Sequence, residues 1–252
     1  KLEELIDNSD ICVNLIGILY QYKKNTFKRI HSDFPEILAK ICAKKNKKLI
    51  HISALGLKNI KDSDYAKSKI LGEKNIRQFL KSATIIKPSV VFSVDDSFTT
   101  KFMSMLSLFP IFPLYYNGST LFTPIHATDI AELIYFVINN DLFAKDIEAI
   151  GTKEISFKQI LQILSKSINK NRLFIPLPYP LARLSASFLQ LFPKPLLTID
   201  QLKLLKYNNV KSENGITNFD IGCPSKIDFE EGVQKYSYNW TEGGQYSRNS
   251  GQ

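Results

Sequence analysis

The chain has 252 residues, 44% of them hydrophobic and 23% charged, and a formal net charge of +9. That balance is the one of an ordinary globular protein. No run of about 18 apolar residues is present, which excludes a membrane-spanning helix, and the polar opening KLEELIDNSD is no secretory signal.

The first ninety residues alternate strand and helix signals. DICVNLIGIL is a continuous apolar run, predicted to be a strand buried on both faces of a parallel sheet. Residues 33 to 46 read as a helix with Pro35 near its start and Ile37, Leu38 and Ile41 turned inward. KLIHIS is the second strand. Residues 63 to 80 form the next helix, burying Ile70, Leu71, Ile76, Phe79 and Leu80, and ATIIKPSVVF is the third strand. Strand, helix, strand, helix, strand with short connections predicts an α/β fold with a doubly wound parallel sheet.

Farther on, helices dominate. SFTTKFMSMLSLFPIF reads as a helix ended by prolines, and TDIAELIYFVINN as an amphipathic one entered through Thr128 and Asp129. ISFKQILQILSKSI carries a capping box, Ser156 with Gln159, and LLTIDQLKLLK a second, Thr198 with Gln201. RLFIPLP precedes the helix PLARLSASFLQLF. The predicted division is a dinucleotide-binding part over 1–93 with a return segment at 121–150. A smaller, mainly helical part over 94–120 and 151–240 binds substrate or partner, and the polar tail 241–252 is disordered.

Cys12, Cys42 and Cys223 lie far apart along the chain, with no CxxC pair and no histidine at ligand spacing. A zinc site or disulfide framework is not expected, and a reducing compartment fits. Lysines crowd YKKNTFKR (22–29) and KICAKKNKKL (40–49). They form either a solvated face or a surface for an anionic partner. No RNA-binding aromatic signature or helix-turn-helix accompanies them, so nucleic acid is not an expected partner.

A dinucleotide fold normally carries a Gly-rich turn after its first strand. None occurs here. Either the chain is no dinucleotide binder or its first β-α-β segment is absent, and the non-Met start with immediate entry into a buried strand favours the second.

Ser53 follows the second strand, and Tyr65 precedes Lys69 by four on the next helix, so the last two share a face. An ammonium beside a phenol stabilises the phenolate, fitting Tyr65 for general acid–base work. Ser53, at the carboxyl edge of the sheet, is placed to hold a substrate oxygen against it. YxxxK alone is common by chance; the order strand, Ser, YxxxK helix, strand, PSVVF is what gives it weight.

With VNLIG, HISALG, YAKSKILGE, KPSVVF and TPIHATDIAELI in that order, the chain resembles the extended short-chain dehydrogenase/reductase family. It looks most like the atypical branch that includes the accessory NAD(P)H-binding subunit of respiratory complex I and its bacterial relatives. The resemblance implies bound NADP(H) or NAD(H). Asn14 and Gly17 match the strand-end motif along the adenosine half. Tyr65 and Lys69 match the pair at the nicotinamide ribose, Ser53 the active-site serine, and Pro88, Ser89 and Val90 the segment passing the nicotinamide. His126 and Asp129 match a further phrase and are read as structural, the aspartate as a helix cap.

Three departures stand out: the Gly-rich turn is missing, the residue that selects NAD or NADP is missing, and Ser93 stands where glycine often follows PSVVF. The expected function is a nucleotide-binding accessory or assembly subunit with little or no turnover. Complex I subunits are its candidate partners, met through the basic face and the proline-rich C-terminal part. Its expected location is cytoplasmic, with a peripheral place on the inner membrane. The alternative is an active NAD(P)-dependent oxidoreductase or nucleotide-sugar epimerase/dehydratase using Ser53, Tyr65 and Lys69. A third reading, a basic binding module with a decayed site, is disfavoured by the intact Ser, Tyr and Lys. No metal site is expected.

Overall fold

The computed structural model describes residues 1–192 and 195–246. In chain order it begins with α1 (Leu2–Asp7), β1 (Ile11–Asn14) and a π-helical turn (Lys28–Asp33) that runs into α2 (Phe34–Lys44). Then follow β2 (Lys48–Ile52), α3 (Asp64–Phe79), β3 (Thr84–Pro88), β4 (Val91–Phe92), α4 (Thr99–Leu108) and β5 (Ile111–Tyr115). Next come β6 (Leu121–Phe122), β7 (Ile125–His126), α5 (Ala127–Asn139), β8 (Asp146–Ala149), β9 (Ile155–Ser156) and α6 (Phe157–Ser167). The described chain ends with β10 (Leu173–Leu177), α7 (Tyr179–Leu189), α8 (Ile199–Leu204) and α9 (Phe229–Ser237).

Two compact units interleave along the chain. The first comprises Lys1–Pro88, Ala131–Ala149 and Lys211–Cys223; the second comprises Ser89–Ile130, Ile150–Val210 and the residues from Pro224 on. Of the expected return segment 121–150, Ala131–Ala149 belongs to the first unit, and Lys211–Cys223 joins it as well.

In the first unit β1, β2, β3 and β8 form a wholly parallel sheet in that order, the doubly wound α/β architecture. Every residue of β3 is buried, as a central strand covered on both faces requires. DICVNLIGIL yields only a four-residue strand, and Val13, Leu15, Ile16 and Leu19 are exposed. The run is not buried on both faces, because β1 stands at the edge of the described sheet. Leu38, Ala39 and Cys42 of α2 pack with Leu49 and Ile76, while Ile37 and Leu71, expected inside, are exposed.

Cys12 packs against the core cluster that holds buried Cys42, so the fold brings together cysteines that the sequence separates by thirty positions. The neighbouring Cys42 thiol draws that of Cys12 down to about 7 against the opposing effect of burial, and the Cys42 thiol is raised.

The helix expected from 33 starts earlier, as the π-helical turn. Pro35 has no N–H to give the carbonyl of His31 four residues before it. That oxygen faces α3, where a Cβ on Gly72 would lie 1.9 Å from it. Gly72 is therefore what lets α3 close on the turn that carries His31, and Asn75 fastens the same contact by donating to the Ser32 hydroxyl and to Glu36.

The second unit is built on Phe92, Met103, Leu106, Phe157, Leu161 and Trp240. Both capping boxes are present, Ser156 with Gln159 and Thr198 with Gln201. The predicted helix SFTTKFMSMLSLFPIF ends at Leu108, because Pro110 stops it and Ile111 opens β5, which pairs in parallel with β10 (the RLFIPLP segment). Asp129 does not cap α5: its carboxylate accepts the N–H groups of Lys226 and Ile227, while His126 Nδ1 accepts from Thr128 in the first turn. Of the tail expected to be disordered, the Tyr246 ring packs tilted against Trp240, with centroids 4.9 Å apart, and residues 247–252 lie outside those described.

Gly72→Ala adds helix propensity but drives a methyl into the His31 carbonyl. Overpacking of this kind costs about 1–3 kcal/mol, more than the gain of up to about 1 kcal/mol from replacing a helical glycine. The variant is expected to unfold at lower urea concentration than the parent. A higher midpoint would show that α3 does not depend on this approach.

Candidate functional site

Ser53 leaves the carboxyl end of β2, and α3 returns beside it after Ser63 caps its N-terminus by accepting from Ala66. Tyr65, Lys69 and Glu73 recur every four residues on α3 and form one stripe. Lys69 Nζ donates to the carbonyl of Ile52, at 3.2 Å. Ser53 Oγ donates to one carboxylate oxygen of Glu73. The other oxygen of Glu73 lies 2.9 Å from Lys87 Nζ, which also reaches Asp146 at 2.7 Å, and Arg77 closes the network on Asp146. Two turns of α3 are thus fixed to the ends of β2, β3 and β8.

Burial pushes the Lys69 ammonium down to about 8, with Glu73 opposing. At Lys87 burial also disfavours the charge, but Glu73 and Asp146 outweigh it and its pKa is raised. Burial works against Asp146 likewise, and Lys87 and Arg77 still hold it below the usual carboxylate range. The Glu73–Lys87–Asp146 cluster is therefore ionised at neutral pH on its cationic and Asp146 sides. Lys69 lies within reach of physiological titration.

Beneath Tyr65 lies a neutral polar layer. The Ile18 N–H donates to His31 Nε2, which places the His31 proton on Nδ1, facing Ser68 Oγ at 2.9 Å. Ser68 Oγ donates in turn to the Tyr65 carbonyl. The His31 ring stacks on Phe27 and meets Tyr65 edge-on, with centroids 5.2 Å apart. Asn14 accepts from the Ile16 N–H and donates to His51 Nδ1 at 2.9 Å, tying the end of β1 to β2. His51 therefore carries its proton on Nε2, which is buried and has no hydrogen-bond partner among the described residues.

Gly17 belongs to this assembly through what it lacks. A Cβ there would sit 3.4 Å from Lys69 Nζ and 3.8 Å from His31 Nε2. The bare backbone leaves the buried ammonium open on that side. A ribose hydroxyl or another small polar group fits a cation presented in this way.

The structure thus gathers Asn14, Gly17, Ser53 and Lys69, with Tyr65 one turn ahead of Lys69. Pro88 ends β3, its carbonyl accepting from Leu55. Ser89 and Val90 belong to the second unit. There Ser89 Oγ donates to Asn209 and accepts from the Thr123 N–H, and the Val90 carbonyl accepts from Ile125. Those two residues hold backbone together in their own unit. Sequence reasoning missed Glu73, Lys87, His31 and His51. Only Glu73 had a signal, since one further step of four from Lys69 reaches it.

The two histidines make acid stability a readout of this layer. Burial, then the charge of Lys69, lowers each from 6.5 to about 3. Below about pH 6.5 the unfolded chain takes up two protons that the folded one refuses, so stability falls as pH drops toward about 3. The slope is at most about 1.4 kcal/mol per pH unit per histidine. Urea midpoints measured from about pH 7 to about pH 5 should fall, and His31→Gln should remove part of the fall. A flat profile in the parent would mean that these rings are not held neutral.

No family model matches the chain. It is 24% identical over 226 residues to the 40 kDa subunit of NADH-ubiquinone oxidoreductase of Neurospora crassa, covering 88% of this chain and 59% of that protein. It is 29% identical over 189 residues to NADH dehydrogenase [ubiquinone] 1 alpha subcomplex subunit 9 of Mus musculus, covering 72% of this chain and 48% of the relative. The chain therefore spans about half to three-fifths of the length of these curated relatives. Among solved structures it superposes on the UDP-glucuronic acid 4-epimerase of Bacillus cereus, crystallised with UDP-glucuronic acid and NAD. The TM-score is 0.65 at 15% identity, over 94% of this chain and 78% of that one. The fold is that of the Rossmann-type epimerases and reductases, and in sequence the chain is similar to complex I subunits of the alpha subcomplex subunit 9 kind.

Proposed function

We propose that this chain is the nicotinamide-dinucleotide-binding part of an accessory or assembly subunit of respiratory complex I, with little or no turnover. The observation that carries the reading is the pairing of Ser53 with Glu73. A serine that serves substrate reduction offers its proton to a carbonyl oxygen, whereas Ser53 gives its proton to a carboxylate fixed by Lys87. The site is preorganised to hold and not to exchange. Similarity to complex I subunits supports the partner, and it supports a place at the surface of an energy-converting membrane.

The residues present fit one half of NADP(H) or NAD(H). Lys69 beside bare Gly17 suits the nicotinamide ribose, and Asn14 shapes the strand end next to it. No Gly-rich turn is present in the chain to cradle a pyrophosphate. The first unit is the cofactor-binding part in this reading, and the second the partner-binding part. When bound, the nicotinamide would supply or accept a hydride; Tyr65 would hold or pass a proton at its phenol oxygen, and Lys69 would favour the phenolate.

A second reading, an oxidoreductase or nucleotide-sugar epimerase/dehydratase, draws on the lowered pKa of Lys69. An amine poised near neutrality is a common mark of catalytic sites.

The test is to purify the protein from its source, extract any nucleotide and identify it by mass spectrometry, recording which complex I subunits accompany it. NADPH or NADH together with those subunits is expected. Lys69→Ala should lower retained nucleotide by about tenfold, the loss of one charged hydrogen bond. Tyr65→Phe should retain it while abolishing any turnover. Nucleotide-free preparations, or full retention in Lys69→Ala, would defeat the cofactor reading; rapid turnover of a sugar nucleotide would favour the enzyme.

A further inference from the structure

Helix α7 is inverted. Its inward residues are small, with Ala182 2% exposed and Ala186 fully buried, while the large ones face outward. Leu184 is 68% exposed, Phe188 63% and, just past the helix end, Leu191 77%. A surface helix of a globular protein normally has its apolar bulk inside. Leu181, Leu184 and Phe188 follow a three-and-four spacing and make one stripe. Phe188 meets Phe192 edge-on at 5.7 Å and prolongs it.

The strands before it behave alike. Leu173 and Ile175 of β10 are exposed, and their register partners on β5 are Ile111, also exposed, and Pro113. Tyr116 and Tyr179, with rings 6.1 Å apart, join the end of β5 to the first turn of α7. An exposed apolar surface of this extent marks a docking site.

Charge decides what docks. No Asp or Glu occurs from Ser97 to Thr128 or from Ile155 to Ile199, the segments that build this surface. Their charged residues are all Lys or Arg, with Lys170 and Arg172 just before β10 and Arg183 on the exposed side of α7. A protein partner is matched by charges of both signs placed residue by residue. A leaflet of anionic lipid presents one sign uniformly and an apolar layer beneath it.

We propose that α7 and the outer face of the β5–β10 pair rest directly on an anionic lipid surface. Leu184, Phe188 and Leu191 enter the acyl boundary, and Arg183 meets the phosphates. This goes beyond assembly with complex I, since it needs no other subunit.

The test is sedimentation of the purified protein with vesicles of phosphatidylcholine, with or without phosphatidylglycerol. Binding is expected on the mixed vesicles, about tenfold weaker on phosphatidylcholine alone and about tenfold weaker for Leu184→Glu/Phe188→Glu on either. Arg183→Glu should weaken binding to the anionic vesicles only. All three positions are exposed, and thermal melts verify that the variants fold. No vesicle binding, or equal binding by the double variant, overturns the proposal. Self-association that the double variant abolishes, without vesicle binding, overturns it in favour of a second copy. Capture by isolated complex I but not by vesicles overturns it in favour of a protein partner. Nucleotide content, measured on the same samples, reports on the cofactor site independently.

Discussion

The ammonium of Lys87 is the fixed point of the first unit. It is largely withdrawn from water, and removing a charge from water costs several kcal/mol unless partners surround it. Glu73 and Asp146 supply those partners from α3 and the start of β8, so three elements distant in sequence are bound to one charge. Ser53 and, through the Ile52 carbonyl, Lys69 hang on the same frame. The placement of the candidate site is thus an electrostatic consequence of burying a lysine in a central strand.

That dependence has a chemical side. A carboxylate shared between a lysine and a serine hydroxyl accepts from both. Ser53 is therefore an acceptor toward anything outside, through its remaining lone pairs. Lys69, one turn away, feels the same carboxylate but pays more for its own burial, and it becomes the softer of the two lysines. Two ammonium groups in one neighbourhood thus differ in role because they differ in partners.

Much of this was legible in the sequence. The alternation of strand and helix, the two capping boxes and the stripe of Tyr65 and Lys69 follow from local periodicity and side-chain chemistry, which act within a few residues. The site's supports were not legible, because they are long-range: nothing near Lys87 in the chain announces Glu73 or Asp146, and Cys12 and Cys42 meet only through the packing of α2 on the sheet. The errors share a cause as well. Ile37, Leu71 and the DICVNLIGIL run were assigned to the interior by apolarity alone, and α7 shows that apolar bulk in this chain also faces outward. An aspartate in a first helical turn usually serves the nearest backbone; here the N–H groups that Asp129 accepts belong to residues almost a hundred positions later.

The interleaving of the units bears on how the chain is made. The first unit's fourth strand is synthesised 58 residues after its third ends, and its last segment closes only at Cys223. During translation the nascent β1, β2 and β3 must wait with the β8 side of β3 uncovered while the Ser89–Ile130 segment of the second unit emerges. Parallel pairing across such sequence separations folds slowly, since chain entropy is lost before the contacts form. The Lys87 ammonium cannot find Asp146 until that strand arrives, so the frame of the site is completed only after the Ser89–Ile130 segment of the other unit has been made.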